Sequence, residues 1–294
     1  MGQFHGILAR KESSRSKEAL QTFPDLDNLP PELAVAVLSN LNATDLCLAA
    51  CVWDHLANND LLWMSLCRTT WKYVPAYKEM GKSNLPYKSL YLLLDDGTCL
   101  FNVYPKEGML FFIKHSILED SVEDIALFIN GASVFRSDAV RDYLYDRRDI
   151  LEELIKLQTY SNMFLPEAMR KLFDLIQPPE ERGEYIDILI EVFSRRYLEC
   201  NHTCELSQDT LVILCNSLLL LSVDLSSPKV KNKMTKREFI KNLRGIVHPS
   251  SVDFIGDLYD NVYLQGHVAV PKGKCLKIQT FPFVRPYGNI FFAM

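Results

Sequence analysis

The chain has 294 residues, of which 48% are hydrophobic and 23% charged, and its formal net charge is −5. This composition is that of an ordinary soluble globular protein, and it excludes a disordered chain or an integral membrane protein. The acidic balance disfavours a nucleic-acid binder held by phosphate contacts, because such proteins usually carry a basic domain or stripe.

The eight cysteines include no Cys-x-x-Cys pair, and the chain shows no signal-peptide pattern. We therefore expect a reducing compartment and a cytoplasmic protein, with transient presence at membranes. Cys200, His202 and Cys204 offer three soft ligands, but no fourth lies at zinc-finger spacing, so we expect no metal and no cofactor. The longest apolar stretch, Leu211–Val223, is too short to cross a bilayer and predicts a buried helix.

Residues 1–24 carry no apolar period and are expected to be flexible. Residues 25–71 are dense in Leu, Ala, Cys and Trp and contain no Gly, which predicts short, closely packed helices. Pro31 and Glu32 predict a helix start, because the first turn tolerates proline and the helix dipole favours an acid there. The run Asn42-Ala-Thr-Asp45 is expected to end that helix and cap the next, and a third run follows Asp60. Three such helices bury too little surface alone, which favours a permanent helical partner.

Residues 72–98 are rich in Tyr, Lys and Gly and are predicted to form a linker. Beyond residue 99 the helical signals become regular, beginning with a capping box from Ser121 to Asp124. Apolar residues then recur with a 3.6-residue period between Ile150 and Ile176. The predicted fold class is all-α, with a three-helix segment followed by a right-handed array of about ten helices over residues 99–270. The structure of the tail, residues 271–294, is not predicted.

The run Leu29-Pro-Pro-Glu-Leu33, with the spaced leucines and tryptophans that follow it, resembles the F-box. The resemblance implies that this segment docks the Skp-type adaptor of a cullin–RING ubiquitin ligase, and an apolar helical face packed into a groove is consistent with it. The alternative is a helical cap folded onto the main domain. The residues expected to contact the adaptor are Leu29, Pro30, Pro31, Glu32, Leu33, Leu41, Leu46 and Trp53.

Residues 101 to 270 resemble the Sec7 domain, the exchange-factor module for Arf-type GTPases. The resemblance is carried by the stretches 105–108, 121–126, 140–144, 193–197, 220–231 and 233–240. It implies an all-helical fold with a long groove that binds the switch regions of an Arf-type small GTPase. The groove residues expected from it are Tyr185, Leu189, Ser222, Leu225, Ser226 and Lys231.

Nucleotide exchange in this family involves no covalent chemistry, because a loop carboxylate is thrust toward the magnesium ion and the β-phosphate. A carboxylate 4 Å from a phosphate is repelled by roughly 1 to 4 kcal/mol. The family loop reads Phe-Arg-Leu-Pro-Gly-Glu, whereas residues 176–182 read Ile-Gln-Pro-Pro-Glu-Glu-Arg. Alignment on Pro179 makes Glu181 the candidate catalytic carboxylate. Alignment on the following helix places Arg182 there, with the wrong sign of charge.

The second family motif, Leu-Asn-Thr-x-Leu-His, becomes Leu221-Ser-Val-Asp-Leu-Ser226 in this chain, which removes the amide and the imidazole. We therefore favour an adaptor in which the F-box recruits the ligase and the Sec7-like groove selects the ubiquitylation substrate. The alternative is an active exchange factor for an Arf-type GTPase, whose F-box controls its turnover or location. For Glu180 and Glu181 we favour an exposed acidic turn at a helix start, where the helix dipole stabilises them, over a working catalytic carboxylate. No nucleic-acid partner and no transmembrane segment are expected.

Overall fold

The computed structural model describes residues 25–80, 86–179, 183–246 and 252–269. Over these ranges the chain is helical and contains no strand, and Trp71 and Ala132 form an isolated antiparallel β-bridge. The predicted all-α fold class is therefore confirmed. The chain divides after Leu66 into two compact units, which are described in turn.

The first unit is a set of short helices joined by tight turns. Both predicted helix starts are confirmed, because Pro31 is the first residue of α1 and the Asn42 side chain accepts a hydrogen bond from the Asp45 amide at 2.9 Å. Three helices were predicted, but the structure has four, because a single turn, α3, precedes α4. The elements are a 3-10 helix at Leu26–Asn28, α1 at Pro31–Leu38, α2 at Ala43–Ala49, α3 at Asp54–Ala57 and α4 at Asp60–Thr70.

The second unit contains α5 at Tyr77–Met80 and then ten further helices, which agrees with the predicted array of about ten. These are α6 at Tyr87–Phe101, α7 at Pro105–Lys114, α8 at Val122–Gly131, α9 at Ser137–Asp146, α10 at Arg148–Lys156, α11 at Leu165–Leu175, α12 at Glu184–Cys200, α13 at Gln208–Ser226, α14 at Lys236–Leu243 and α15 at Val252–Gln265. Ser121 caps α8 as predicted, since its hydroxyl accepts a hydrogen bond from the Asp124 amide.

The structure differs most from the prediction in residues 72–98, which were predicted to form a linker. Residues 87–98 belong to α6, and Leu90, Leu94 and Phe101 from that helix are buried in the core. The run Asp95-Asp96-Gly97 lies inside this continuous helix. Its glycine is needed because α7 packs closely against α6 at that position.

Helices α6 and α7 approach each other through two glycines. A Cβ atom on Gly97 would lie 2.3 Å from the Phe112 ring, and one on Gly108 would lie 2.3 Å from the Phe101 Cα. Carbon atoms normally stay about 3.5 to 4.0 Å apart, so neither position has room for a side chain. Phe112 in turn packs at 4.9 Å, between ring centroids, on Phe128. The two glycines thus allow α7 to bring an aromatic core against α6.

Helix α13 is longer and less enclosed than the buried helix predicted from the sequence. It runs for 19 residues and, among the residues that the structure describes, is the one helix long and apolar enough to cross a bilayer by length and composition. Its Leu211, Leu214 and Leu218 are fully buried in the protein core, so this side serves the fold. The other side is apolar as well and is exposed, which matters for the site described next.

Candidate functional site

The first unit exposes an apolar surface formed by residues from α1, α2 and α4 and from the turn after α2. Leu33 and Val52 are 55% and 69% exposed, whereas Ala34 and Leu38 on the other side of α1 are buried. Five large apolar side chains exposed on so small a unit indicate a region that binds a partner. The members of this first-unit apolar surface are Leu33, Val37, Leu48, Val52 and Leu61.

The structure separates the predicted adaptor-contacting residues into accessible and internal ones. Pro30, Pro31, Glu32 and Leu33 are exposed, and Leu29, Leu41 and Trp53 are half-buried. The Trp53 indole nitrogen donates a hydrogen bond to Asp25 at 2.6 Å, which ties the start of the unit to its middle.

Leu46 is buried, with 1% of its surface exposed, so it serves the core of the first unit instead of a partner-binding face. Leu46 was predicted wrongly because the sequence of the short helix α2 does not show which of its sides faces inward. Val37, Leu48, Val52 and Leu61 were not among the predicted contacts. The i, i+4 spacing of Leu33 and Val37 could have signalled the first of them.

In the second unit, α12 and α13 pack side by side and α13 presents an exposed apolar stripe. Ile213, Leu220 and Val223 are exposed at i, i+7 and i+10, a spacing that places them on one helix face. The opposite face carries the buried leucines of the core. We call Ile213, Leu220 and Val223 the α13 apolar surface. The sequence pattern does not mark which of these residues are exposed, because α13 is apolar on both sides and shows no amphipathic period.

The predicted groove residues fall into two groups. Leu225 is half-buried, and Ser226 and Lys231 are exposed, so a partner can reach them. Tyr185, Leu189 and Ser222 are buried, at 4%, 0% and 1% exposure, and therefore support the groove from inside. Burial raises the pKa of the Tyr185 hydroxyl, so this side chain is neutral at physiological pH.

The polar groups in the last turn of α13 are used inside the protein. The Ser222 hydroxyl donates a hydrogen bond to the Leu218 carbonyl at 2.7 Å and accepts one from the Val268 amide at 3.3 Å. The Asp224 carboxylate accepts a hydrogen bond from the Met234 amide at 2.7 Å. The Ser226 hydroxyl donates to the Ser222 carbonyl at 2.6 Å. With these groups satisfied internally, the α13 apolar surface offers a partner mainly hydrophobic contact.

Comparison with known proteins decides the family of the chain. A Sec7 domain family model matches residues 91–265, and an F-box-like model matches residues 26–69. The chain belongs to the Sec7 domain family. Over 270 residues it is 48% identical to F-box only protein 8 of Mus musculus and of Homo sapiens, which covers 90% of this chain and 83% of each relative. Both predicted resemblances, to the F-box and to the Sec7 domain, are confirmed.

The Sec7 domain is also similar to more distant proteins. It is 33% identical over 177 residues to brefeldin A-inhibited guanine nucleotide-exchange protein 3 of Arabidopsis thaliana, which covers 58% of this chain and 10% of that protein. The crystal structure of the Sec7p catalytic domain matches with a TM-score of 0.53 and 28% identity, covering 58% of this chain and 96% of the other. A structure of ARF1-GDP bound to a Sec7 domain complexed with brefeldin A matches with a TM-score of 0.56 and 24% identity, covering 66% and 97%.

The loop that precedes α12 in the Sec7 domain is held at both ends. Ile176 is buried, the Gln177 amide donates to the Ser137 carbonyl at 3.1 Å, and Arg141 donates to the Pro178 carbonyl at 3.3 Å. On the other side, Glu184 at the start of α12 pairs with Arg148 at 3.2 Å. The candidate catalytic residue Glu181, with Glu180 and Arg182, lies outside the described residues.

The cysteine–histidine cluster does not form a metal site in the Sec7 domain. Within the ranges that the structure describes, no three His, Cys, Asp or Glu side chains are placed to hold a metal ion. His202 is exposed, and Cys200 and Cys204 are half-buried on either side of it.

Proposed function

We propose that this protein is a substrate-recognition adaptor of an SCF-type ubiquitin ligase, in which the F-box-like segment binds the Skp-type adaptor and the Sec7 domain engages an Arf-type small GTPase. The observation that carries the proposal is the presence of a separate exposed apolar surface in each unit. The 48% identity to F-box only protein 8, which spans both segments, supports the pairing of the two roles. We also propose a cytoplasmic location.

The ligase half of the proposal is supported by the first-unit apolar surface. Burying a leucine or valine that is more than half exposed stabilises a complex by roughly 1 to 2 kcal/mol, and placing a carboxylate there adds an uncompensated charge. We therefore expect Leu33→Asp to weaken binding of the full-length protein to a purified Skp-type adaptor by at least about 30-fold.

Val103→Asp is the matched control for that experiment, because Val103 is 65% exposed and lies in the second unit. Isothermal calorimetry on both variants would measure the two affinities. Equal binding by the two variants, or no binding by the wild type, would exclude the ligase role.

The GTPase half is supported by the α13 apolar surface. A substrate receptor needs affinity alone, whereas an exchange factor must also place charge at the nucleotide. In this chain the side chains of Ser222, Asp224 and Ser226 form hydrogen bonds within the protein. We expect Leu220→Asp to abolish binding to an Arf-type GTPase, and the control Leu110→Asp, on exposed α7 surface, to leave it unchanged.

The second candidate function, guanine-nucleotide exchange, is favoured by the adjacent acids Glu180 and Glu181 in the loop before α12. A fluorescent-GDP release assay with an Arf-type GTPase distinguishes the two functions. The adaptor predicts that wild type and Glu181→Lys release nucleotide equally slowly while both still bind the GTPase. Rapid release that Glu181→Lys removes would establish exchange activity and make the receptor role incomplete.

A further inference from the structure

Positive charge is concentrated in the segment that runs from the end of α13 through α14. Within residues 229–244 there are seven lysines and arginines and one acid, in a chain whose net charge is −5. So large a local excess of positive charge in an acidic protein needs a physical explanation. The seven are Lys229, Lys231, Lys233, Lys236, Arg237, Lys241 and Arg244.

Two of these cations and the acid have internal partners. Lys233 donates hydrogen bonds to the carbonyls of Asp224, at 2.6 Å, and Ser227. Lys236 pairs with Asp260 of α15 at 2.5 Å. The carboxylate of Glu238 accepts hydrogen bonds from the amide and hydroxyl of Thr235 at 2.9 and 2.8 Å and forms the capping box of α14. These groups serve the fold.

The remaining five cations are exposed, and none forms an ion pair with a carboxylate of the described residues. They are Lys229 and Lys231 in the loop before α14, Arg237 and Lys241 on α14, and Arg244 directly after it. We call these five residues the basic surface. Exposed lysines and arginines usually have acids nearby, and the absence of ion pairs here leaves the charge available to an external anion.

The geometry of α14 directs three of these cations away from the core. Arg237, Lys241 and Arg244 follow one another at i, i+4 and i+7, opposite the buried Phe239 and Leu243. With Lys236, Glu238, Ile240 and Val252 they line an open concavity at the surface, in which four cations outnumber the single acid.

Acids on the neighbouring helix reduce this charge without cancelling it. Asp253 and Asp257 are exposed on α15, which packs against α14, and Asp260 is already paired with Lys236. Glu238 on α14 lies three residues before Lys241, and the pKa of its carboxyl group is lowered by hydrogen bonds from Thr235 and by the charge of Lys241. The five cations of the basic surface therefore outnumber the nearby acids Glu238, Asp253 and Asp257 among the described residues. Ile246, 38% exposed, adds an apolar side chain two residues after Arg244.

We propose that the basic surface binds the anionic headgroups of a lipid bilayer. Clustered Lys and Arg with a flanking apolar residue form the pattern of an interfacial contact. Nucleic acid is the less favoured anion, because single-strand binders stack bases on exposed aromatic rings. The one aromatic residue in this segment, Phe239, is buried. Lys231 belongs both to the basic surface and to the expected groove residues, whereas Arg237, Lys241 and Arg244 belong to the basic surface alone and can be tested for membrane contact without the GTPase.

Vesicle co-sedimentation of the full-length protein tests the proposal. We expect binding to vesicles of mixed phosphatidylserine and phosphatidylcholine, no binding to pure phosphatidylcholine, and weaker binding at high salt. Each cation near an anionic surface contributes about 1 kcal/mol, or about fivefold in affinity. The triple variant Arg237→Gln/Lys241→Gln/Arg244→Gln should therefore bind about 100-fold more weakly.

The matched control is Lys72→Gln/Lys78→Gln/Lys114→Gln, which removes the same charge from exposed positions elsewhere in the second unit. It should change the affinity by less than about threefold, as expected of scattered surface charges. If the α14 variant fails to fold, as judged by circular dichroism, Lys229→Gln/Lys231→Gln in the preceding loop should still weaken binding by about 25-fold.

Three results would overturn the proposal. The first is failure of the wild type to bind phosphatidylserine vesicles at low ionic strength. The second is an equal loss of binding in the basic-surface and control variants, which would indicate a response to net charge alone. The third is tighter, basic-surface-dependent binding to duplex DNA than to vesicles, which would identify a nucleic acid as the anion.

Discussion

Replacement of Gly108 by alanine tests the packing on which the Sec7 domain depends. The added Cβ atom would lie 2.3 Å from the Cα and 2.4 Å from the amide nitrogen of Phe101. Non-bonded carbon atoms are stable at about 3.5 to 4.0 Å. Because the contacted atoms are backbone, no side-chain rotation can relieve the clash, and α6 and α7 must separate by about 1 Å.

Two effects of opposite sign determine how much Gly108→Ala changes the free energy of unfolding. Overpacking a core costs about 1 to 3 kcal/mol, and a clash with backbone belongs at the upper end of that range. Alanine in a helix interior is favoured over glycine by about 1 kcal/mol. We therefore expect Gly108→Ala to lower the free energy of unfolding by about 2 kcal/mol. Helix propensity alone would predict a gain of about 1 kcal/mol instead.

Urea unfolding of the full-length protein, followed by circular dichroism at a helical wavelength, measures this difference. Gly183→Ala is the matched control, because Gly183 is exposed, has extended backbone at φ −160°, and has no atom within 4 Å of an added Cβ. Its free energy of unfolding should change by less than about 1 kcal/mol. An unchanged or more stable Gly108→Ala protein would refute the close approach of α6 and α7.

Three further predictions follow from buried or capping groups. Phe112→Ala should lower the free energy of unfolding by about 3 to 5 kcal/mol in urea titrations, because Phe112 is fully buried against Phe128. Thr235→Ala should cost about 1 kcal/mol and speed amide hydrogen exchange in α14, since it removes the capping box. Burial, and then the charge of Arg170, lower the pKa of His267 below its usual 6.5. The folded state therefore binds fewer protons, and the His267 contribution to stability is complete above about pH 6.5 and falls below it. Urea midpoints measured across this range should depend less on pH in His267→Gln.

The helices that were predicted correctly are specified by residues that lie close together in sequence. The apolar residues Ile150, Leu151, Leu154 and Ile155 follow a 3.6-residue period, and all four are fully buried in α10. Asn42 and Ser121 cap helices because their side chains reach the backbone three residues ahead. Periodicity and capping depend on neighbours in sequence, so both can be recognised without the fold.

The errors have a common physical origin in contacts between distant residues. Gly97 was predicted to lie in a linker, and only the close approach of the Phe112 ring from α7 explains why a glycine stands in the middle of α6. Leu46 and Leu189 were expected at partner-binding surfaces, but neighbouring helices bury them. Ser222 was expected in the groove, and its hydroxyl instead bonds within the core to Leu218 and Val268.

The sequence by itself determined the all-α class, both family memberships and the order of the two segments, because these depend on local pattern and on motif similarity. The tertiary structure decided which apolar side chains remain exposed. Leu218 and Leu220 are two residues apart on α13 and chemically identical, yet one is fully buried and the other is 55% exposed. A helix that is apolar all round does not specify which face turns inward, and that choice depends on the helices packed against it.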